Sequence, residues 1–460
     1  NVARGDVLFE AGATVNVQGD GGGSIAILAN TLSLTQASEI IAGITADATG
    51  GNVAGDIVIN ASNLVELLDG TRIEASTFGQ GTAGQIMVNT GTFRAQGASS
   101  EVFGRSGGIF NNVEEDAVGD SRGIVVEASN SIQLLDGTGL FSEVGRNAVG
   151  NSGGIVLEAS ERVELLNRAK LDASNAGQGN TGQIEVNTTT FRAQDSTVVS
   201  EGESFAVGNS GGIVLEASES VELLDGALLL SNTSGQGNAG PIEVNTTTFR
   251  AQGTDSLGIS SNVFSEVRSL LAVGNSGGIV LEASESVELL DGAQLDASNS
   301  GQGNTGQIVV NTAIFRAQGE SSRRRSGVIS EIDGFAEGNS GGIVLEASNS
   351  VELLDGGRLS TTIRDRGAGT VGSIVVNTTA FRAQGEASNG DNSGIFSFNF
   401  TFDEDERSSG RIELVASDSI ELLDGAQLIT NTLNQGNAVQ IMMNTATFRD
   451  HGVSSNWDNN

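Results

Sequence analysis

A chain of 460 residues with 65 glycines, one proline and no cysteine holds neither disulfides nor thiolate metal sites. Glycine at that level almost without proline excludes collagen, and an apolar content of 37% in regular runs excludes disorder. The formal net charge is −34, with Lys170 the single lysine, so nucleic acid and anionic membranes are repelled. No apolar run reaches the roughly eighteen residues of a membrane helix, and no membrane insertion is expected.

The text opens directly on strand-like residues, "GDVLFEAG" from Gly5, and reads as a segment of a longer or processed chain. From there a period dominates. An isoleucine follows a turn at Ile25, Ile57, Ile86, Ile124, Ile155, Ile184, Ile213, Ile242, Ile279, Ile308, Ile343, Ile374, Ile412 and Ile441. These positions lie 29 to 38 residues apart. Each repeat carries three short alternating runs, such as "GIVLEAS", "SVELLDG" and "AQLDAS" between 278 and 298. Three strands and three corners predict one triangular coil of an all-β, right-handed parallel β-helix. Fourteen coils, stacked at about 4.8 Å each, predict a single solenoid over 1–460 roughly 67 Å long.

The repeats come in two kinds. One reads "GIVLEAS…VELLDG…AQLDAS", the other "GQIEVNT…TFRAQG" with a looser third run, and they alternate except that Ile124 and Ile155 both open the first kind. Along the second run, Phe93, Phe191, Phe249, Phe315, Phe381 and Phe448 alternate inward with Val65, Ile132, Val163, Val221, Val287, Val351 and Ile420, large beside medium. The next residue points outward and makes a ladder. In stacking order it reads Glu66, Arg94, Gln133, Glu164, Arg192, Glu222, Arg250, Glu288, Arg316, Glu352, Arg382, Glu421 and Arg449. Where two glutamates would meet, at the junction of like repeats, the chain has Gln133. Opposed like charges cost stability, and this one exception argues for the register.

A second outward row closes the first run. Asn89, Asn187, Asn245, Asn311, Asn377 and Asn444 alternate there with Glu127, Glu158, Glu216, Glu282 and Glu346, so that no like charges should touch. Beside the inward isoleucines, the outward row is apolar at Val58, Met87, Val125, Val156, Val214, Val280, Val309, Val344, Val375 and Met442. Such a stripe predicts an interface. Self-association is therefore expected, laterally through this stripe or head to tail through uncapped coil ends. Length differences collect around the third run of the second kind of repeat, at 98–106, 261–273, 320–326 and 398–409, as in solenoids that bind through one face.

The segment "GATVNVQGDGGGSIAILANTLSLTQASEIIAGI" from Gly12 and the body text "GAQLDASNSGQGNTGQIVVNT" resemble the secreted filamentous-haemagglutinin-like exoproteins of two-partner secretion, particularly the cyanobacterial kind. That resemblance implies an extracellular or cell-surface β-helix used in adhesion or coating. A cell-surface polysaccharide or another surface protein would be its partner. A self-assembling filament or sheath subunit is the alternative, and a polysaccharide lyase or hydrolase the third.

No catalytic constellation is expected. Asp69, Asp136, Asp225, Asp291, Asp355 and Asp424 each precede a glycine and read as turn residues. His451 has no partner at ligand spacing. The triplet Arg323–Arg325 reads as solvated surface, as does "DEDE" at 403–406. The acidity and "DEDE" make calcium the one cofactor to consider, but no hand loop or nonapeptide series supports it, so none is expected.

Overall fold

A computed structural model describes residues 4–97, 107–321, 324–365, 367–401, 408–433 and 437–451. Strands are parallel throughout both main sheets, and the described residues hold no helix. The fold is a parallel β-helix of about thirteen turns. The last of the fourteen expected coils does not complete a turn among the described residues, because Ile441–His451 is followed by no further described strand.

Two compact units emerge, one of Asn1–Ser218 with Leu228–Gly240, the other of Glu219–Ala227 with Pro241–Asn460. In the first unit, the long strands Ile25–Leu34, Ile57–Leu68, Ile86–Gln96, Ile124–Leu135 and Ile184–Gln194 belong to the first sheet. Short strands such as Arg72–Thr77, Gly108–Phe110, Gly139–Phe141 and Lys170–Asp172 form the second sheet. The second unit repeats the scheme, with Ile279–Leu290, Ile308–Gln318 and Ile343–Leu354 in the first sheet. Its second sheet includes Asn262–Val267, Gln294–Asp296, Gly327–Ile332, Arg358–Asp365 and Gly394–Thr401. The third side is held by the short pair Asn52–Val53 and Gly81–Thr82 and by isolated bridges, for example Val118↔Val149 and Val149↔Gln178 in the first unit.

Three separate strands per coil are thus not what forms. The first two runs fuse into one strand of 10 to 12 residues, with a register shift such as that between Ala283 and Ser286. A coil of the first kind carries one residue more there than its neighbour, which makes a β-bulge, and the bulge bends the strand without ending it. Only in the repeat of Ile155 does the strand break, into Ile155–Ala159 and Arg162–Leu166.

Core register is direct. Phe93 pairs with Val65 and Ile132, and Phe315 pairs with Val287 and Val351. These side chains are fully buried. Phe448, whose strand has a described neighbour on one side only, is 49% exposed. The six aspartates before glycine take φ between 51° and 56°, the left-handed region in which a short polar side chain is tolerated. At the one repeat of the first kind lacking Asp-Gly, Asn167 and Arg168 hold φ of 57° and 65°.

Candidate functional site: outer faces and corners

The outer face of the first sheet is a set of side-chain ladders. Glu66 stands beside Arg94, Gln133 between Arg94 and Glu164, and Glu288 beside Arg316. The ion pairs are loose. Arg94–Glu66 measures 3.5 Å, Arg449–Glu421 3.6 Å, and Arg250–Glu288 and Arg316–Glu352 both 3.9 Å. Gln133 donates to Glu164 at 2.7 Å, where a second glutamate would have repelled it. A stronger relay runs alongside. Every ladder guanidinium but Arg449 donates to the glutamine two residues on, at 2.6 Å for Arg94 and Gln96 and 2.9 Å for Arg192 and Gln194. That glutamine then donates to the turn aspartate of the next coil, as Gln96 does to Asp136 at 2.8 Å and Gln318 to Asp355 at 2.9 Å. The recurring Arg-x-Gln spacing, one outward face of a strand, was the sequence signal for it.

The asparagine row behaves differently at one place. Glu127 and Glu158 are direct neighbours, with Asn89 and Asn187 on either side, so like charges do meet there. Both are exposed, and water and salt screen the repulsion. The apolar row also proves discontinuous. Val58, Met87, Val125 and Val156 are consecutive, then Glu185 follows. In the second unit Val280, Val309, Val344 and Val375 are consecutive between Glu243 and Glu413, with Met442 beyond. Val214 lies in Ile213–Leu224, and like the others it is half-buried.

A third ladder, absent from the expectations, lines the glycine corner. The backbone N–H of Asn180 donates to Asn151 Oδ1 at 2.9 Å, Asn209 to Asn180 at 2.8 Å, and Asn304 to Asn275 at 2.8 Å. One residue on, hydroxyls accept the glycine N–H of the following coil, as Thr181 does from Gly211 at 2.9 Å. Corner backbone that would otherwise need water is satisfied within the coil stack.

The second sheet is chemically distinct, because its outer face is buried too. Opposite fully buried Leu295 and Val328 stand Asp296, 6% exposed, and Ile329, 3%. Here the second unit gathers charge. Arg324 lies 3.3 Å from Asp296 and 4.8 Å above the Phe264 ring, Arg268 is 2.9 Å from Glu266, and Arg364 pairs with Glu331. The bridges Val267↔Asn299 and Asn299↔Ile332 put Glu266 and Glu331 in one row, two coils apart. Burial pushes the carboxyls of Glu266 and Glu331 up to about 7, against the pull of Arg268 and Arg364, and raises Asp296. Arg358 lies between Gly327 and Gly394 with its Nε buried and unpartnered, and burial lowers it to about 10. Arg324 and Arg325, expected as solvated surface, are instead engaged, the latter with Asp391 at 2.8 Å. Side chains packed over a sheet by neighbouring coils leave no signature in a single strand's text.

The first unit carries a milder version. Arg72 sits 2.9 Å from Glu74 and 4.4 Å over Phe110, which stacks on Phe141 at 4.9 Å, and Lys170 holds Asp172 at 2.5 Å. Burial raises the Glu74 carboxyl.

Among the described residues no three carboxylates or histidines gather as metal ligands, and His451 is exposed on its strand. The tetrad 403–406, Arg323 and the segment 98–106 lie outside the described residues. No family model, curated protein or solved structure matches this chain.

Proposed function

We propose that the chain is a non-catalytic surface scaffold of the filamentous-haemagglutinin-like kind, extracellular, attaching through what its coils display. One observation carries this reading. The arginine, glutamine and turn aspartate groups of the first sheet and the asparagines of the glycine corner are taken up by coil-to-coil ladders, whereas individual chemistry is concentrated on the outer face of the second sheet and the adjoining turns. A scaffold that stacks identical coils and varies one face suits attachment. The cell-surface partner is a polysaccharide or a protein able to meet that face. The test is retention of the purified chain on immobilised cell-surface polysaccharides and on intact cells. Saturable retention lost in Arg358→Ala with Arg364→Ala supports the reading, and absence of retention on any surface overturns it.

A second reading has one observation in its favour. Glu266 and Glu331 stand in one row two coils apart, a separation that leaves room for a water between the acid and the base of a polysaccharide hydrolase. Cleavage of an acidic glycan, abolished by Glu331→Gln, would establish it in place of the scaffold.

A further inference from the structure

The third side of the first unit is toothed. Glu114–Ala117, Gly145–Ala148 and Glu203–Ala206 each close a turn, the alanine N–H donating to the first carbonyl at 3.1 Å. The third residue of each has positive φ, 61° at Asp116, 58° at Asn147 and 70° at Phe205. These are type II turns, whose third position calls for glycine or asparagine. Phenylalanine breaks that rule, and its ring is 88% exposed. Among the described residues no ring contact engages the Phe205 side chain, and strain kept at an exposed bulky residue points to use elsewhere.

Between the second and third turns the intervening coil has a short corner, Ala176, Gly177 and Gln178, which floors a groove of roughly 760 Å³. Gly177 is required there, because a Cβ would stand 2.5 Å from the carbonyls of Gly145 and Ala148. Coils two apart set the backbones of the two walls about 9.6 Å from each other. An aromatic ring with a carbon contact of about 3.5–4 Å on each face takes up about 7–8 Å of that spacing. One wall bears Arg146, which makes no side-chain bond among the described residues, and the other bears Glu203 and Phe205. Around the groove Val149 and Val207 are 43% and 45% exposed.

We infer that this side is an interface between two copies of the chain, related by a two-fold axis, with Phe205 of each copy seated in the groove of the other. Knob and groove adjoin on one surface, so a single rotation fills both, as a closed isologous contact demands. The same rotation sets Arg146 of one copy against the turn carrying Glu203 of the other, and this match selects a second copy as occupant. The inference does not rest on the attachment reading above.

Sedimentation velocity of the full chain over a wide concentration range tests it. The wild type should form a reversible dimer, and a monomer throughout overturns the inference. Phe205→Asn should weaken association at least roughly tenfold, while the unfolding midpoint holds or rises, because asparagine suits the turn. Unchanged association overturns the inference, and a lowered midpoint removes the strain argument on which it stands. Arg146→Glu should weaken the dimer and Glu203→Arg in the same chain restore it, and failure to restore overturns the two-fold arrangement. Val125→Asp, on the first sheet, should leave the dimer intact. Its loss would assign the interface to the apolar row instead.

Discussion

The two sheets share one core yet meet the outside in opposite ways. In the first sheet burial alternates on either side of the bulge, so Ile308 and Val310 are inside and Val309 half outside. In the second, Gln294, Leu295 and Asp296 are all buried, with ionised and apolar groups packed on the outer face. A water-facing row needs only a compatible neighbour, and a repeated Glu, Arg, Gln or Asn supplies one. A buried outer face needs a particular neighbour at each coil, so its residues differ from coil to coil. Repetition marks where the chain specifies register, and variation marks where it specifies contacts.

The sharpest way to break this contrast is in the shared core. Phe315→Ala should cost about 3–5 kcal/mol, because the ring is fully buried between Val287 and Val351. Its outward neighbour Arg316, changed to alanine, should cost less than about 1 kcal/mol. Urea unfolding of the pair reads both, and similar losses would mean the outer ladder is structural to the same degree as the core.

Titration separates the sheets next. Glu266 and Glu331 reach about 7 in the fold from an ordinary 4.5, so the fold favours their protonated forms. Their stabilising contribution is complete below the unfolded value and is lost as pH rises through about 7. Stability should therefore fall between roughly pH 5 and 8. Glu266→Gln with Glu331→Gln should flatten that slope, and a slope unchanged in the double variant would locate it elsewhere.

Charge reversal probes the first sheet alone. Arg250→Glu brings a carboxylate against Glu288 and removes the donor to Gln252, which itself reaches Asp291 at 3.0 Å. A loss of about 1 kcal/mol is expected, read as a shift of the denaturation midpoint that shrinks in high salt. An unshifted midpoint would show that the ladder adds nothing.

The smallest effect is a gain. Arg168 holds φ of 65° where the other repeats of its kind have glycine. Arg168→Gly should stabilise by about 0.5–1 kcal/mol, measured by thermal unfolding. Destabilisation would mean that the contacts of Arg168 outweigh its backbone strain.

Much of this architecture could be read from the text because a solenoid turns local periodicity into tertiary position. Once Ile279 and Ile308 are aligned, Glu288 must stand beside Arg316, and the aspartate before glycine must turn. The bulge at Ala283–Ser286 escaped because a kinked strand and two separate strands share the same alternation. The glutamate pair at 127 and 158 follows from the same junction of like repeats that carries Gln133, and what neither residue writes is the exposure that makes the contact cheap.

By itself the sequence determined the fold class, the coil period, the inward phenylalanine rows and the charge register, all of which follow from spacing within and between repeats. Only the tertiary structure decided which outward residues are buried. That depends on how neighbouring coils and their insertions close over a face, as Arg324 does over Phe264 and Asp296. It also decided that Phe205 stands free at a turn while Phe264, in equally strand-like text, lies covered. Burial is a property of surroundings, and these two phenylalanines differ only in theirs.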